Sequence, residues 1–214
     1  MKIAVLGTGE VGHTLATKLA SLGHEVVMGS RTADNPAAKE WAAANGASHG
    51  TFADAAADAE IVVNATGGLV SLAALTAAGA ENLRGKVVVD VSNGLDFSDG
   101  FPPRIVTPDG VSVAEQLQRA FPETRVVKTL NTMNNAVMVD PSRVPGHHNV
   151  FLSGDEDAAK SAVRELLGSF GWGEDQILDL GDLTSARGVE QLVGLWVRLY
   201  GVLGTGDFNF AIVR

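Results

Sequence analysis

The sequence contains no cysteine. That excludes disulfides, thiolate metal sites and cysteine nucleophiles, and no metal site is expected. Positive charge is short: 16 Lys and Arg stand against 25 Asp and Glu, for a net charge of −9. Such a balance argues against nucleic acid and anionic membrane surfaces as partners. Long hydrophobic runs are missing too. The nearest candidate for a membrane span, residues 189–203, contains Arg198 and falls short of the roughly 20 residues required. The motifs H-E-x-x-H, G-x-S-x-G and G-x-x-x-x-G-K-[ST] do not occur, which removes the best-marked metalloprotease, esterase and P-loop chemistries. There is no internal repeat. The chain enters a strand at once, so no secretory leader is expected and a cytoplasmic location is. Aromatics are scarce at 6%, whereas Gly contributes 25 residues and hydrophobic residues 45%. This is the composition of many βα turns and small-residue helix–sheet packing around a real core.

What the chain does have is concentrated in residues 1–31. Lys2-Ile3-Ala4-Val5-Leu6 is a short apolar run of the kind buried in a parallel sheet. Gly7-Thr8-Gly9-Glu10-Val11-Gly12 follows, a G-x-G-x-x-G. A helical pattern then places Val11, Leu15, Leu19 and Leu22 on one face and stops at Gly23. His24-Glu25-Val26-Val27-Met28 is the next strand. Inside a βαβ unit the glycine motif reads as a dinucleotide site: Gly7 for the tight turn, Gly9 for close approach to a pyrophosphate, Gly12 for helix–strand packing. N–H groups at the helix start, near Thr8, Glu10 and Val11, would bind the anion. An NAD-binding unit usually places a carboxylate about 20 residues past the glycines. This chain has Ser30-Arg31-Thr32 there. Arg31 offers a planar fork for a 2′-phosphate and the two hydroxyls add donors. The reading is NADP(H) over NAD(H).

Strands alternate with helices through the rest of the chain. Strands are expected near 47–51, 60–64, 86–91, 125–130, 149–153 and 176–180, helices near 37–44, 52–59, 69–78, 112–121, 155–171 and 184–203, and a strand or extended segment at 208–212. The fold class is α/β: a Rossmann-type doubly wound, mainly parallel sheet with a small C-terminal α/β annex. Residues 1–140 are expected to form the NADP-binding domain, and residues 141–214 a small substrate and dimerisation domain. Residues 95–110 read as an exposed excursion and a candidate lid. Ligands in such sheets sit beyond the carboxyl ends of strands, which here are small and polar: Ala65-Thr66-Gly67, Ser92-Asn93 and Asn131-Thr132-Met133.

The chemistry is harder to read. His13 and His24 are expected to be structural or exposed, His49 to be a loop or edge residue, and His147-His148 to sit in a solvated loop, with a ligand contact as the alternative. Lys128 ends a strand, where a salt bridge or anion contact is the ordinary role. No proton donor stands out. Carbonyl or imine reduction needs a proton with the hydride, whereas transfer between two redox cofactors needs mainly parallel stacking and exclusion of water. Gly67, Gly68, Asn131, Met133, Trp196 and Phe208 would suffice for that.

Gly7 to Gly12, the strand end Met28-Gly29-Ser30-Arg31, the run Val127 to Met133 and the segment from Asp182 through Arg187 to Leu199 together resemble the coenzyme F420-dependent NADP reductase family. The resemblance implies hydride transfer between NADP(H) and a deazaflavin stacked on the nicotinamide. It implies Thr8, Ser30 and Arg31 on the NADP phosphates, Asn131, Thr132 and Met133 near the nicotinamide, and Thr184 near the cleft. Asn131, Met133 and Thr184 are therefore the candidate catalytic residues. Some members carry His and Ile where this chain has Asn131 and Met133. The cytosolic NADPH domains of membrane ferric reductases resemble the same fold, so FMN or FAD as co-substrate is an alternative, and a non-catalytic NADP sensor is another. Imine reductases share the glycine motif but add a large helical domain, for which about 60 residues after Ser153 leave little room. Arg104, Lys128, Arg143 and Arg187 are candidates for an acidic coenzyme tail. The wide apolar face of the last helix suggests a homodimer seam or full burial.

Overall fold

Short β-branched runs flanked by glycine and polar turns become central strands, because both faces of each can be covered. The computed structural model describes residues 1–213. Its strands are β1 (Lys2–Leu6), β2 (Glu25–Ser30), β3 (Ser48–Thr51), β4 (Ile61–Asn64), β5 (Val87–Asp90), β6 (Leu95–Asp96), β7 (Arg104–Ile105), β8 (Arg125–Thr129), β9 (Val150–Gly154) and β10 (Ile177–Asp179). Eight of them form one sheet in the order β10-β9-β8-β5-β4-β1-β2-β3. All pairings in it are parallel except β8 with β9. The chain winds outward from β1 to β3, returns to place β4 on the other side of β1, and winds outward again. The β1/β4 boundary is thus a topological switch point, where ligands bind beyond the strand ends.

Helices cover both faces: α1 (Glu10–Ser21), α2 (Pro36–Asn45), α3 (Phe52–Ala57), α4 (Gly68–Ala78), the single turn α5 (Ala80–Leu83), α6 (Val113–Ala120), α7 (Asn135–Val139), α8 (Asp157–Phe170) and α9 (Ala186–Leu203). Strand side chains alternate between two cores. Ile3, Val5, Ile61 and Val63 join the layer of α1, α2, α7 and α8. Ala4, Leu6, Val62 and Val88 join the layer of α3 to α6. Local signals set the helix starts. Asn35 caps α2 with Pro36 at its first position, and Ser112 and Glu115 form a capping box on α6.

Residues 150–179 continue the same sheet through β9 and β10, so the division expected at residue 140 falls within one sheet. Two local expectations are corrected. Leu22 lies past the end of α1 and is exposed, so the buried face of that helix is Leu15, Ala16 and Leu19. His148 is buried, not solvated: Nε2 lies 3.0 Å from the Pro141 carbonyl, Asn209 donates to Nδ1, and the ring meets Trp172 edge-on. Of the two forms expected for residues 208–212, the extended segment is the one found. It runs back along the start of β9, tied by Asn149 and Asn209, and Phe208 stacks on Trp196.

Candidate functional site

The glycine motif does what its spacing requires. Gly7 has φ +120°, and a Cβ there would stand 2.6 Å from the Ala65 carbonyl oxygen. At Gly12 a Cβ would stand 2.1 Å from the Gly7 carbonyl oxygen, so only glycine lets α1 start against β1. Gly9 faces open space. No side chain caps α1, so its first N–H groups and the positive end of its dipole are left for a ligand.

Beyond the strand ends lies a cleft of two chambers. The first, about 680 Å³, is lined by Gly7, Thr8, Gly9, Ser30, Arg31 and Asn35 on one side and by Ala65-Thr66-Gly67 and the Val70–Ala77 face of α4 on the other. The second, about 510 Å³, is lined by Glu10, Val11, Val91, Ser92, Asn93, Asn131 and Met133, by Phe97 just after β6, and by Val193, Trp196 and Val197 of α9. Gly9 and Ala65-Thr66-Gly67 line both. Arg31 is exposed and makes no ion pair among the described residues. Ser30 is buried, and its hydroxyl donates 2.6 Å to the Thr32 carbonyl, which leaves its lone pairs rather than its proton toward the chamber.

The structure brings together Gly7, Thr8, Gly9, Ser30, Arg31, Ala65, Thr66 and Gly67 in one chamber, and Glu10, Val11, Ser92, Asn93, Asn131 and Met133 in the other. Gly12 lies behind the lining, and Thr32 and Thr132 line neither chamber. Thr184 is also outside: it sits in an exposed turn, its hydroxyl donating 2.5 Å to Asp182. Asn131 is engaged. Its amide donates to Asn93 Oδ1 at 2.9 Å and to the Val189 carbonyl at 3.1 Å, while Asn93 donates back to the Asn131 carbonyl at 2.8 Å. That bracket ties two strand-end loops to α9. The preceding residue, Leu130, has φ +60°, strained for a branched side chain at a site edge.

The four basic candidates for a coenzyme tail are all paired with carboxylates: Arg104 with Asp96, Lys128 with Asp90 and Glu190, Arg143 with Asp207, Arg187 with Glu115. None lines either chamber. Burial alone would push the Lys128 ammonium down, but Asp90 and Glu190 together outweigh it and hold its pKa above the ordinary lysine value. The Arg187 guanidinium, against the opposing cost of burial, holds the Glu115 carboxyl down at about 2, with help from Ser112.

Reading by residue missed Asp90 and Glu190. Each is a lone carboxylate in an apolar stretch, Val87 to Val91 and Val189 to Leu195. A buried charge implies a partner, and that signal was available. The contribution of Phe97 and of Val193 and Val197 to the second chamber depends on tertiary packing and had no local signal.

Residues 2–94 match the family described as NADP oxidoreductase, coenzyme F420-dependent. The F420-dependent NADP reductase of Methanocaldococcus jannaschii is 29% identical over 220 residues, covering 96% of each chain. The rat metalloreductase STEAP3 is 31% identical over 191 residues, 89% of this chain; the chain spans only 36% of that protein's length. A crystal structure of an Arthrobacter sp. FB24 protein, provisionally described as an F420-dependent NADP reductase, shares 54% identity with a TM-score of 0.94 and full coverage of both chains.

Proposed function

The chain belongs to the coenzyme F420-dependent NADP oxidoreductase family, an oxidoreductase family, and on that premise we propose that it transfers hydride between NADP(H) and a deazaflavin of the F420 type. The observation that carries this reading is the two-chamber cleft. One chamber offers an uncapped helix start and an arginine unpaired among the described residues; the other, mainly apolar with a few amide and hydroxyl groups, opens from the same Ala65-Thr66-Gly67 strip.

In this reading the α1 N-terminus and the Gly7–Gly12 turn hold the pyrophosphate. Arg31 forks the 2′-phosphate and the Thr8 hydroxyl adds a donor, while Ser30, whose proton is spent on the Thr32 carbonyl, shapes the chamber without donating to the phosphate. Val70, Ala73 and Ala77 of α4 give the adenine an apolar floor. The nicotinamide crosses the shared strip toward Asn131 and Met133. NADP(H) supplies the hydride; the residues around it orient two flat rings and keep water out. Among the described residues, Glu10 is the only ionisable side chain lining the second chamber, so this wall provides little acid–base chemistry, and the ring-to-ring step itself moves only a hydride. Residues 141–214 contribute the α9 wall, and the exposed face of α9, with Leu195 and Val202, is the seam for a homodimer. An enzyme of this kind works in the cytoplasm.

The test is anaerobic absorbance kinetics with NADPH and, in turn, F420, FMN and FAD. Rapid bleaching of F420 alone supports the reading. Turnover of FMN or FAD instead moves the protein to the flavin branch that the STEAP3 likeness suggests, and tight NADPH binding without any acceptor favours a sensor. Met133→Trp is expected to narrow the second chamber and abolish F420 turnover, while NADPH, anchored by the first chamber, still binds. Undiminished turnover in that variant removes Met133 from the site.

A further inference from the structure

Beneath the second chamber a row of polar side chains crosses the carboxyl ends of three adjacent strands. Asn64, Asp90 and Lys128 are direct register partners on β4, β5 and β8. All are essentially inaccessible. Asn64 donates 2.8 Å to Asp90 Oδ1, and Lys128 Nζ stands 2.9 Å from Asp90 Oδ2. Lys128 also donates to the Ser92 carbonyl. Ser92 in turn donates its N–H to Asp90 Oδ1 at 3.2 Å. The backbone of Ser92, a chamber residue, is therefore clamped on both sides by the ion pair.

The row extends to α9. Glu190 is 1% exposed and places Oε1 2.8 Å from Lys128 Nζ. Its two oxygens also accept the Val113 and Ala114 N–H groups at the start of α6, at 2.8 and 3.3 Å. One carboxylate thus fixes α9 to the sheet and to a second helix end. Val193 and Val197, one and two turns further along the same face, are chamber wall, and the residue before Glu190 accepts from Asn131. At the other end of the row, Asn64 Oδ1 accepts the Thr66 hydroxyl at 2.7 Å, and Thr66 lines both chambers.

A buried triad of this sort is poor value as a source of stability, because desolvating three charges offsets most of their attraction. Its geometry serves placement instead. We propose that Lys128 and Glu190 are positioning residues for hydride transfer: they set the spacing between the Ser92–Asn93 floor and the α9 wall that receives the acceptor ring. The proposal rests on the second chamber being the acceptor site.

Glu190→Gln is the informative variant. It leaves a neutral Lys128–Asp90 pair, so the fold is expected to survive, and Glu190→Asp, with its charge kept but withdrawn by one methylene, is the second variant. In Glu190→Gln the KM for the deazaflavin rises and kcat falls at least tenfold. The deuterium isotope effect from 4-labelled NADPH grows, and the Kd for NADPH moves less than twofold. Glu190→Asp falls between wild type and Glu190→Gln. Amide hydrogen exchange reads the geometry without turnover: protection of residues 90–93 and 186–197 drops at least tenfold, and that of residues 2–22 does not change. Kinetics of both variants within twofold of wild type, or equal loss of NADPH and acceptor affinity, overturns the positioning role. A wild-type protein inert toward the deazaflavin would instead fail the acceptor assignment. The same ratios are then read with FMN, and loosening confined to 90–93 and 186–197 still distinguishes the clamp from a uniform fold effect.

Discussion

The two chambers of the cleft are built by different physics. The phosphate end of the first is set largely by backbone from residues 1–31, a tight turn, an uncapped helix start and a strand end, and Ala65-Thr66-Gly67 and α4 close it from the other side. Its glycines are required by approach distances of 2.1 and 2.6 Å. The second adds to the α1 start and the Ala65-Thr66-Gly67 strip three stretches far apart in the chain: the segment from the end of β5 to Phe97, the end of β8 with the start of α7, and α9. Buried side chains, not backbone, hold these together, chiefly Lys128, Asp90 and Glu190 and the Asn93–Asn131 bracket. A phosphate site can be local because every dinucleotide presents the same pyrophosphate. A ring-binding wall must be tuned at long range, and so it carries the long-range contacts.

Breaking the second chamber should cost the most. Lys128→Met leaves Asp90 and Glu190 buried without their shared cation, which is expected to remove about 3–5 kcal/mol of folding stability. Urea unfolding measures it, and a loss under about 1 kcal/mol would mean the carboxylates find other partners. Breaking the first chamber should cost binding rather than folding. Arg31→Ala is expected to weaken NADPH by about 2 kcal/mol and NADH hardly at all. Isothermal titration with both nucleotides decides it, since equal losses would take Arg31 off the 2′-phosphate. The smallest effect sharpens the contrast at the outer edge of the α6–α9 contact. Glu115 has its pKa held at about 2 rather than 4.5. A carboxyl depressed in the folded state contributes in full above about pH 4.5 and loses that contribution as pH falls toward 2. Arg187 is 46% exposed, so water screens the pair and about 1 kcal/mol is expected. Acid titration of stability should therefore be flatter between those values in Glu115→Gln, and an unchanged slope would assign the acid sensitivity elsewhere.

This division also explains what could be read from the sequence. The alternation of strands and helices, the parallel sheet and the glycine turn are local and periodic, and they were legible. The place of Arg31 beside the glycine turn was legible because it is counted along one βαβ unit. Thr184 was not: its neighbourhood depends on how a short turn enters α9, and the structure leaves it facing solvent on Asp182. Lys128 and the three arginines offered as tail contacts illustrate the same limit. A lone cation looks available in a sequence, and only the fold reveals the carboxylate already beside it.

The central claim is that two rings meet face to face across the Ala65-Thr66-Gly67 strip with water excluded. The most direct test is a single turnover of 4-deuterated NADPH with oxidised F420 in ordinary water, followed by mass analysis of the reduced deazaflavin. The account predicts that one of the two diastereomers of labelled NADPH delivers its deuterium intact to the deazaflavin carbon. Reduced deazaflavin carrying only solvent hydrogen, or no reduction at all, would contradict it.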